Sequence, residues 1–550
     1  MSMKKYWLLV FLILLGIIPL FSLLTPGLPI THDGKDHVAR IANFYLNLTE
    51  GNVIPRWAPL LNWGYGHPIL MFLYPFPSYL ASFFHAVGFS LVDSLKLVFA
   101  LTFVASGLTM YIFVSSMFGR NAGFLAGMLY MYAPYRFVDL YVRGAVGEHV
   151  AFVFPPLVCY FLFQLTKNRN PLNVVLGALS LAGLLLSHNA VSLMFIPIFL
   201  LLGIYFLWQV KDRKFYMFQA LVMIFCGVLL SGFFLIPAFL EGKYTLRDIV
   251  TDNEYASRFE TVTRFIYSPW SFDGTNRFSV QIGLVQWLIV AIQPVIAYVL
   301  YKRKQTKLLV FVVGIFVLFV LSLFIMTEPA KPVYEVFSVL QKFQFPWRFL
   351  TLSVFITAVM GGIFVHILEP RRQLVVLIVI SVLLIFVNKD YVVTKGYLLL
   401  PDSFYKSVYE GTTDTGESAP IWSVRFMLEK PESENEVISG AANIVPGERT
   451  ATTRSYEIIA SSGARILENT LYFPGWKVFV NGQEAQVEFQ DQNNRGLITY
   501  MVPSGKNDVV ITFENTKLRN LSEAVSILGV IFLTIYVIFF NKFNKWKIFQ

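Results

Sequence analysis

The amino-acid sequence predicts a mostly α-helical, polytopic membrane protein of about twelve transmembrane helices, with an extracytoplasmic β-sandwich-like domain near the C-terminus. Three observations carry this expectation. Of 550 residues, 56% are hydrophobic and only 14% are charged, with a mean hydropathy of +0.60, where soluble proteins carry about 25% charge. Apolar runs approaching the ~20 residues needed to cross a ~30 Å hydrocarbon core recur along the chain. Between residues 389 and 522 the composition turns to Gly, Ser, Thr, Glu and alternating β-branched residues.

The first run, 6–24, follows Lys4 and Lys5 as a signal peptide would. No small-residue cleavage site follows it in Phe21–Pro29, so it is expected to remain as an anchor. Further spans are expected near 95–117, 121–135, 149–166, 172–187, 191–209, 217–240, 279–301, 308–326, 345–367, 372–388 and 523–541. The loops between them decide the orientation. Lys4, Lys5, Arg120, Lys167, Arg169, Lys211, Arg213, Lys214, Lys302, Arg303, Lys304, Lys307, Arg371, Arg372, Lys542, Lys545 and Lys547 fall on one side, opposed only by Asp212 and Glu369. Both termini are therefore expected in the cytoplasm, and the rest of the chain is net acidic despite a total of +10. Pro68–Ser90 is also long enough to span, but counting it would put every later basic cluster outside. Its Pro68, Pro75, Pro77 and His85 suit a bent or re-entrant segment, covered by protein or water.

The expected organisation is a transmembrane domain 1–388 with an outer loop 25–94, a β-rich outer domain 389–522, and a last helix with a basic tail, 523–550. Within the β-rich region, Trp476–Val480, Asn481-Gly482 and Gln483–Phe489 predict a hairpin on a type I′ turn. Ala464–Phe473, Gly496–Val502 and Asp508–Glu514 are further strand candidates. Cys159 and Cys226 both lie in apolar runs, which leaves no disulfide or zinc framework. The basic balance lacks an aromatic-interleaved patch, so nucleic acid is not an expected partner.

Six of seven histidines fall on the outer side or its membrane edge, and only His366 near the inner one. The sharpest polar cluster is Thr31-His32-Asp33-Gly34-Lys35-Asp36-His37-Val38-Ala39-Arg40. A helix starting at Asp33 places Asp36, His37 and Arg40 on the same face. That face offers a base, a second carboxylate and cations for an anionic group, but Asp33 is equally well read as a helix N-cap. In the next outer loop Asp139 and Arg143 stand at i, i+4, the spacing of an ordinary helix ion pair. Glu148-His149 opens an apolar run, where an ionisable group usually faces a cavity. Ser187-His188-Asn189 reads as a polar turn, with His188 a candidate ligand contact. Trp347 and Arg348, in Phe345-Pro346-Trp347-Arg348-Phe349, suit either an interface anchor or bidentate phosphate binding.

No phosphate-cradling Gly loop, nucleophile elbow or His-Glu-x-x-His occurs. Charges are scarce in mid-helix, where proton relays and transporters keep them. What remains is an outward polar cleft beside the bilayer. It suits a lipid-phosphate donor whose phosphate is held by Arg while a carboxylate deprotonates an acceptor hydroxyl.

The acidic motif after the first helix, the second acidic outer loop and the C-terminal β domain resemble the GT-C superfamily of integral-membrane glycosyltransferases. More narrowly, His32-Asp33…His37…Arg40, Pro55-Arg56-Trp57-Ala58-Pro59, Gly64-Tyr65-Gly66, Tyr74-Pro75, Phe345-Pro346-Trp347-Arg348-Phe349 and Phe473-Pro474-Gly475-Trp476-Lys477 are similar to bacterial YfhO-like proteins. They are also similar to membrane proteins called 6-pyruvoyl-tetrahydropterin synthase-related. That label imports no pterin chemistry, because the zinc-binding histidine triad of the soluble synthase is missing. The resemblance implies an inverting glycosyltransferase that moves a sugar from a polyprenyl-phosphate donor to a cell-envelope polymer, glycolipid or protein. Asp33 matches the first-loop acid/base, and Asp139 or Glu148 the second acidic position, so Asp33, Asp36 and Glu148 are the expected catalytic carboxylates. His32, His37, Arg40, Arg56, Asp139, Arg143, His188, Trp347 and Arg348 are the expected substrate contacts. The spacing Asp33-x-x-Asp36 departs from the Asp-x-Asp or Glu-Asp of many members, which leaves a divalent metal an open question. A flippase of lipid-linked sugars and a non-enzymatic scaffold for envelope assembly are the competing readings.

Overall fold

The computed structural model describes residues 7–274 and 277–548. Lys4 and Lys5 fall outside them, and the side chains of Lys542, Lys545 and Lys547 are likewise not described.

Among the described residues, ten helices are long and apolar enough to cross a membrane. We number the helices that matter here in chain order: α1 Trp7–Leu24, α2 Gly34–Thr49, α3 Phe76–Ala86, α4 Leu91–Phe118, α5 Arg120–Met131, α6 Val146–Gln164 and α7 Pro171–Leu185. Then come α8 Asn189–Gln209, α9 Arg213–Leu230, α10 Leu284–Lys302, α11 Thr306–Phe324, α12 Pro346–Ile367, α13 Pro370–Tyr391 and α14 Lys517–Ile548. Two expected spans are shorter than their apolar runs. The run at 121–135 gives the 12-residue α5, which ends before Pro134, and that at 172–187 gives the 15-residue α7. α5 is almost wholly enclosed by its neighbours. α12 is the most enclosed of the ten, 83% buried, and α14 is the most peripheral at 17%.

Pro68–Ser90 is a 3₁₀ turn at Pro68–Met71 followed by the 11-residue α3. At 1.5 Å per residue α3 is about 16 Å long, half a bilayer core. Pro75 and Pro77 stand where a helix begins, positions at which a missing N–H costs nothing.

The C-terminal region holds two antiparallel sheets. The strands are β1 Leu28–Pro29, β2 Tyr397–Leu398, β3 Asn435–Ser439, β4 Ala442–Arg449, β5 Thr453–Ala460, β6 Ala464–Leu471, β7 Trp476–Val480, β8 Gln483–Ala485, β9 Leu497–Val502 and β10 Gly505–Phe513. One sheet runs β4-β5-β10-β7-β8 and the other β3-β6-β9. Ile458, Val478 and Ile511 of the first meet Ile466 and Ile498 of the second in one core, a sandwich. The hairpin β7–β8 pairs Val480 with Gln483 around Asn481 and Gly482, both at positive φ (51° and 79°), as a type I′ turn requires. Trp57, far earlier in the chain, joins this core edge-to-face on Trp476 at 5.3 Å. β1 pairs β2 through Leu28↔Leu398 and Pro29↔Tyr397, so the segment after α1 is fastened to the start of the β-rich region.

Candidate functional site

The site lies where α2, the segment 134–149, the start of α12 and the segment 405–418 meet. The acidic motif is positioned by its backbone. His32 N–H donates to Val142 O (3.0 Å) and Asp33 N–H to Arg143 O (2.9 Å). This close approach requires Gly144, which sits at φ 67°, because a Cβ there would collide with Thr31.

Asp33 occupies the N-cap position of α2 without capping it, since Gly34 N–H donates instead to Thr31 Oγ1 at 3.1 Å. No hydrogen bond or ion pair holds the Asp33 carboxylate among the described residues, and solvent reaches it. The surrounding protein desolvates it nonetheless and pushes its pKa up from the ordinary 3.8, against the opposing pull of Arg143, His32 and Arg40. Asp36, one turn on, is committed: its Oδ1 accepts from Tyr409 Oη at 2.6 Å. His37 is buried, its pKa held well below 6.5 first by burial and then by Arg40 and Arg143. Its neutral Nδ1 accepts from Arg40 Nη1 at 2.9 Å. Arg40 is buried as well and donates to Thr413 Oγ1 (3.3 Å) and to the Thr413 carbonyl. His32 is exposed, its Nε2 3.2 Å from Phe272 O.

Asp139 and Arg143 are no surface pair. They lie on a buried π-helical turn, Val138–Arg143, an irregularity frequent at functional sites. Arg143 Nη1 donates to Asp139 Oδ1 (2.5 Å), Glu148 Oε2 (2.8 Å) and Tyr135 Oη (3.1 Å), while its guanidinium lies 4.5 Å from the Trp347 ring centre. Glu148 Oε1 accepts from Tyr135 Oη (2.5 Å) and Thr351 Oγ1 (3.0 Å). Both oxygens of Glu148 are therefore in use, and Arg143 is shared between two carboxylates. Trp347 is 2% exposed, which makes it the plate beneath Arg143 rather than a membrane-interface anchor.

Arg348 differs from Arg143. Its Nη1 donates to Phe343 O (3.0 Å), its buried Nε has no partner, and among the described residues no carboxylate is within ion-pair distance. His188 caps α8 by accepting from Val191 N–H (3.3 Å) and stacks on Tyr74 at 5.0 Å. Burial, then Arg348, pushes its pKa down to about 3. The Tyr74 hydroxyl lies in the field of Arg40, Arg348, Asp33 and Glu148 together, while burial raises its pKa. Arg56 stands elsewhere, paired with Glu523 of α14 at 2.8 Å.

The sequence did not mark Tyr135, Thr351, Tyr409 or Glu417 as site residues, and it offered Tyr74 only as part of a family motif. Glu417 accepts from Gln344 Nε2 at 2.7 Å, and desolvation raises its pKa. Gln344 and Thr413, which flank the recess, both adopt positive φ (59° and 65°), a strain that clusters at ligand sites. No group of three or more His, Cys, Asp or Glu gathers as a metal site among the described residues, and Asp36 is already engaged by Tyr409.

A family model for the 6-pyruvoyl-tetrahydropterin synthase related domain, a membrane protein, matches residues 70–392. The chain belongs to that family. Within the matched span of this 6-pyruvoyl-tetrahydropterin synthase-related protein lie Asp139, Arg143, Glu148, His188, Trp347 and Arg348, whereas Asp33, Asp36, His37, Arg40 and Arg56 precede it. An uncharacterized protein of Lactococcus lactis subsp. cremoris (strain MG1363) is 26% identical over 218 residues, 38% of this chain and 35% of the relative. The chain thus matches about a third of that relative's length. Among solved structures, arabinofuranosyltransferase AftD from Mycobacteria has a TM-score of 0.41 at 15% identity over 72% of this chain and 28% of its own. ArnT from Cupriavidus metallidurans, bound to undecaprenyl phosphate, has a TM-score of 0.38 at 14% identity over 73% and 68%. The Archaeoglobus fulgidus oligosaccharyltransferase has a TM-score of 0.41 at 14% identity over 73% and 53%.

Proposed function

We propose that this family member is a membrane glycosyltransferase that moves a sugar from a polyprenyl-phosphate donor to a cell-envelope acceptor on the outer face, with inversion. The observation that carries the reading is a carboxylate with no hydrogen bond or ion pair among the described residues, Asp33, tied by its backbone to Arg143, which lies on Trp347 beside Arg348, a guanidinium without a carboxylate partner. The basic loops favour the outer side for this recess by the charge rule.

In this reading the acceptor hydroxyl gives its proton to Asp33 as its oxygen attacks the anomeric carbon. The bond from that carbon to the donor phosphate oxygen breaks on the opposite side of the ring. Its electron pair leaves with the polyprenyl phosphate, whose charge Arg348 stabilises. A carboxyl pKa raised toward the working pH makes the better base. Arg40, also without a carboxylate partner, is a second cation for the phosphate or the sugar. Asp139, Arg143 and Glu148 act as positioning residues, since Arg143 carries the carbonyl that holds Asp33 N–H. His32 and Trp347 line the recess, His37 and His188 are neutral, and Asp36 fixes the 405–418 segment through Tyr409.

The test is donor-dependent transfer by the purified full-length protein, offered a panel of polyprenyl-phosphate sugars and envelope acceptors. Asp33→Asn should slow transfer by about 10²–10⁴-fold, the usual contribution of a general base, with normal yield and thermal stability. Full activity in that variant overturns the assignment. Translocation of the lipid-linked sugar without transfer would instead identify a flippase.

A further inference from the structure

The opposite end of the helical bundle holds a cavity of a different character. Arg348 and His366 lie at the two ends of α12, eighteen residues apart, which is about 27 Å along a helix. Around His366 is a cavity of about 730 Å³, enclosed by the α6–α7 turn, the α8–α9 turn and the start of α11. Its mouth carries Lys167, Arg169, Lys211 and Lys307. The one carboxylate among its lining residues, Asp212, is taken by Arg169 at 2.8 Å. The three lysines have no carboxylate within ion-pair distance among the described residues.

A sidedness rule alone accounts for cations at this end, but not for what adjoins them. Tyr205 lines both this cavity and an apolar groove of about 340 Å³ between α8 and α11, floored by Phe355 and Val359 of α12. On α8 the groove runs from Trp208 to Ile198, about 15 Å at 1.5 Å per residue. That is the depth of one leaflet of a ~30 Å core. Exposed Leu201, Ile204 and Val310 along its edges open it sideways to the bilayer. Gly314 keeps it clear, since a Cβ there would meet nothing within 4 Å.

We propose that this cavity and groove form a binding site for an anionic phospholipid. The headgroup phosphate sits among Lys167, Lys211 and Lys307, and one acyl chain lies between α8 and α11. The one-leaflet length of the groove and the positive mouth commit the site to that occupant, because a zwitterionic lipid fills the groove but brings its own cation beside the phosphate and leaves the net charge of the lysines unbalanced.

The experiment is native mass spectrometry on the detergent-solubilised full-length protein, with equal amounts of phosphatidylglycerol and phosphatidylcholine of matched chains, and thermal denaturation in parallel. Phosphatidylglycerol should be retained preferentially and should raise the midpoint. Lys211→Gln and Lys307→Gln should each cut that preference by about fivefold, the effect of one cation near an anionic headgroup. Gly314→Leu, which fills the groove with little strain, should weaken retention of both lipids. Equal retention of the two lipids, or a Gly314→Leu protein that binds both as well as the parent, overturns the proposal. So does inorganic phosphate alone giving the full stabilisation, which would make this a plain anion site. None of these readouts depends on sugar transfer.

Discussion

Glu148→Gln separates a positioning carboxylate from a reacting one. The Glu148 carboxylate accepts from Tyr135 and Thr351 on one oxygen and from Arg143 on the other. A glutamine can keep its carbonyl toward the two hydroxyls, but its amide nitrogen then meets the Arg143 guanidinium, donor against donor. The change removes a charge-assisted hydrogen bond, worth about 1.5–3 kcal/mol, and leaves buried donors unmet at a further cost of about 1–3 kcal/mol. Arg143 keeps Asp139 as a partner, so the expected loss is about 3–5 kcal/mol. Denaturation in detergent, followed by heat or denaturant, reads it directly. Asp33→Asn breaks no hydrogen bond in the folded protein and should stay within about 0.5 kcal/mol of the parent. Because desolvation raises the Asp33 pKa in the folded state, its stabilising contribution is complete below the ordinary value and is lost as pH rises through the raised one. At neutral pH the Asp33→Asn substitution should therefore be neutral or mildly stabilising. A Glu148→Gln protein as stable as the parent yet inactive would refute this reasoning and move the chemistry to Glu148.

Other outcomes follow from the same geometry. Transfer activity should rise with pH through an apparent pKa above 3.8 set by Asp33, and Asp33→Asn should abolish that limb in a pH–rate profile. His37 and His67 are both buried with pKa values pushed below 6.5 by desolvation. Their stabilising contribution is present above that value and is lost as pH falls below it, so the thermal midpoint should drop on acidification, and less so in His37→Gln. Arg348→Lys should lower kcat more than it raises KM for the donor, since the planar fork that meets the charge developing on the leaving phosphate is lost while a point charge remains. Gly482→Ala should destabilise the β-rich region by about 1 kcal/mol, the cost of a left-handed backbone for a residue with a Cβ, without changing transfer by the remaining folded protein.

The features readable in the sequence are those with a local cause. Apolar length marks the spans, and Asn481-Gly482 marks its hairpin. Strand β4 is hidden because it contains Pro446 and Gly447, tolerated only where it forms the outer edge of its sheet beside a register shift. In the site, Asp33, Arg143 and Arg348 are visible as unusual charges near apolar runs. Their satisfaction is not visible, because Thr351 reaches Glu148 from 203 residues away and Tyr409 reaches Asp36 from 373. Asp33 and Glu148 therefore look alike in the sequence, while the folded protein leaves one free and binds the other three times.

The fastening of the Asp33 loop also has a bearing on biogenesis. Its strands and hydrogen bonds come from residues 142–143, 396–398 and 409, so the loop nearest the N-terminus waits for segments made much later. Translation proceeds at about 5–20 residues per second, so the loop has only its bonds to residues 142–143 for tens of seconds, until the strand pairing at 396–398 and the Tyr409 bond become available. A ribosome stalled before Gly396 would leave an inserted bundle whose first loop is still open to proteases. Limited proteolysis of such nascent chains would time the moment at which the recess closes.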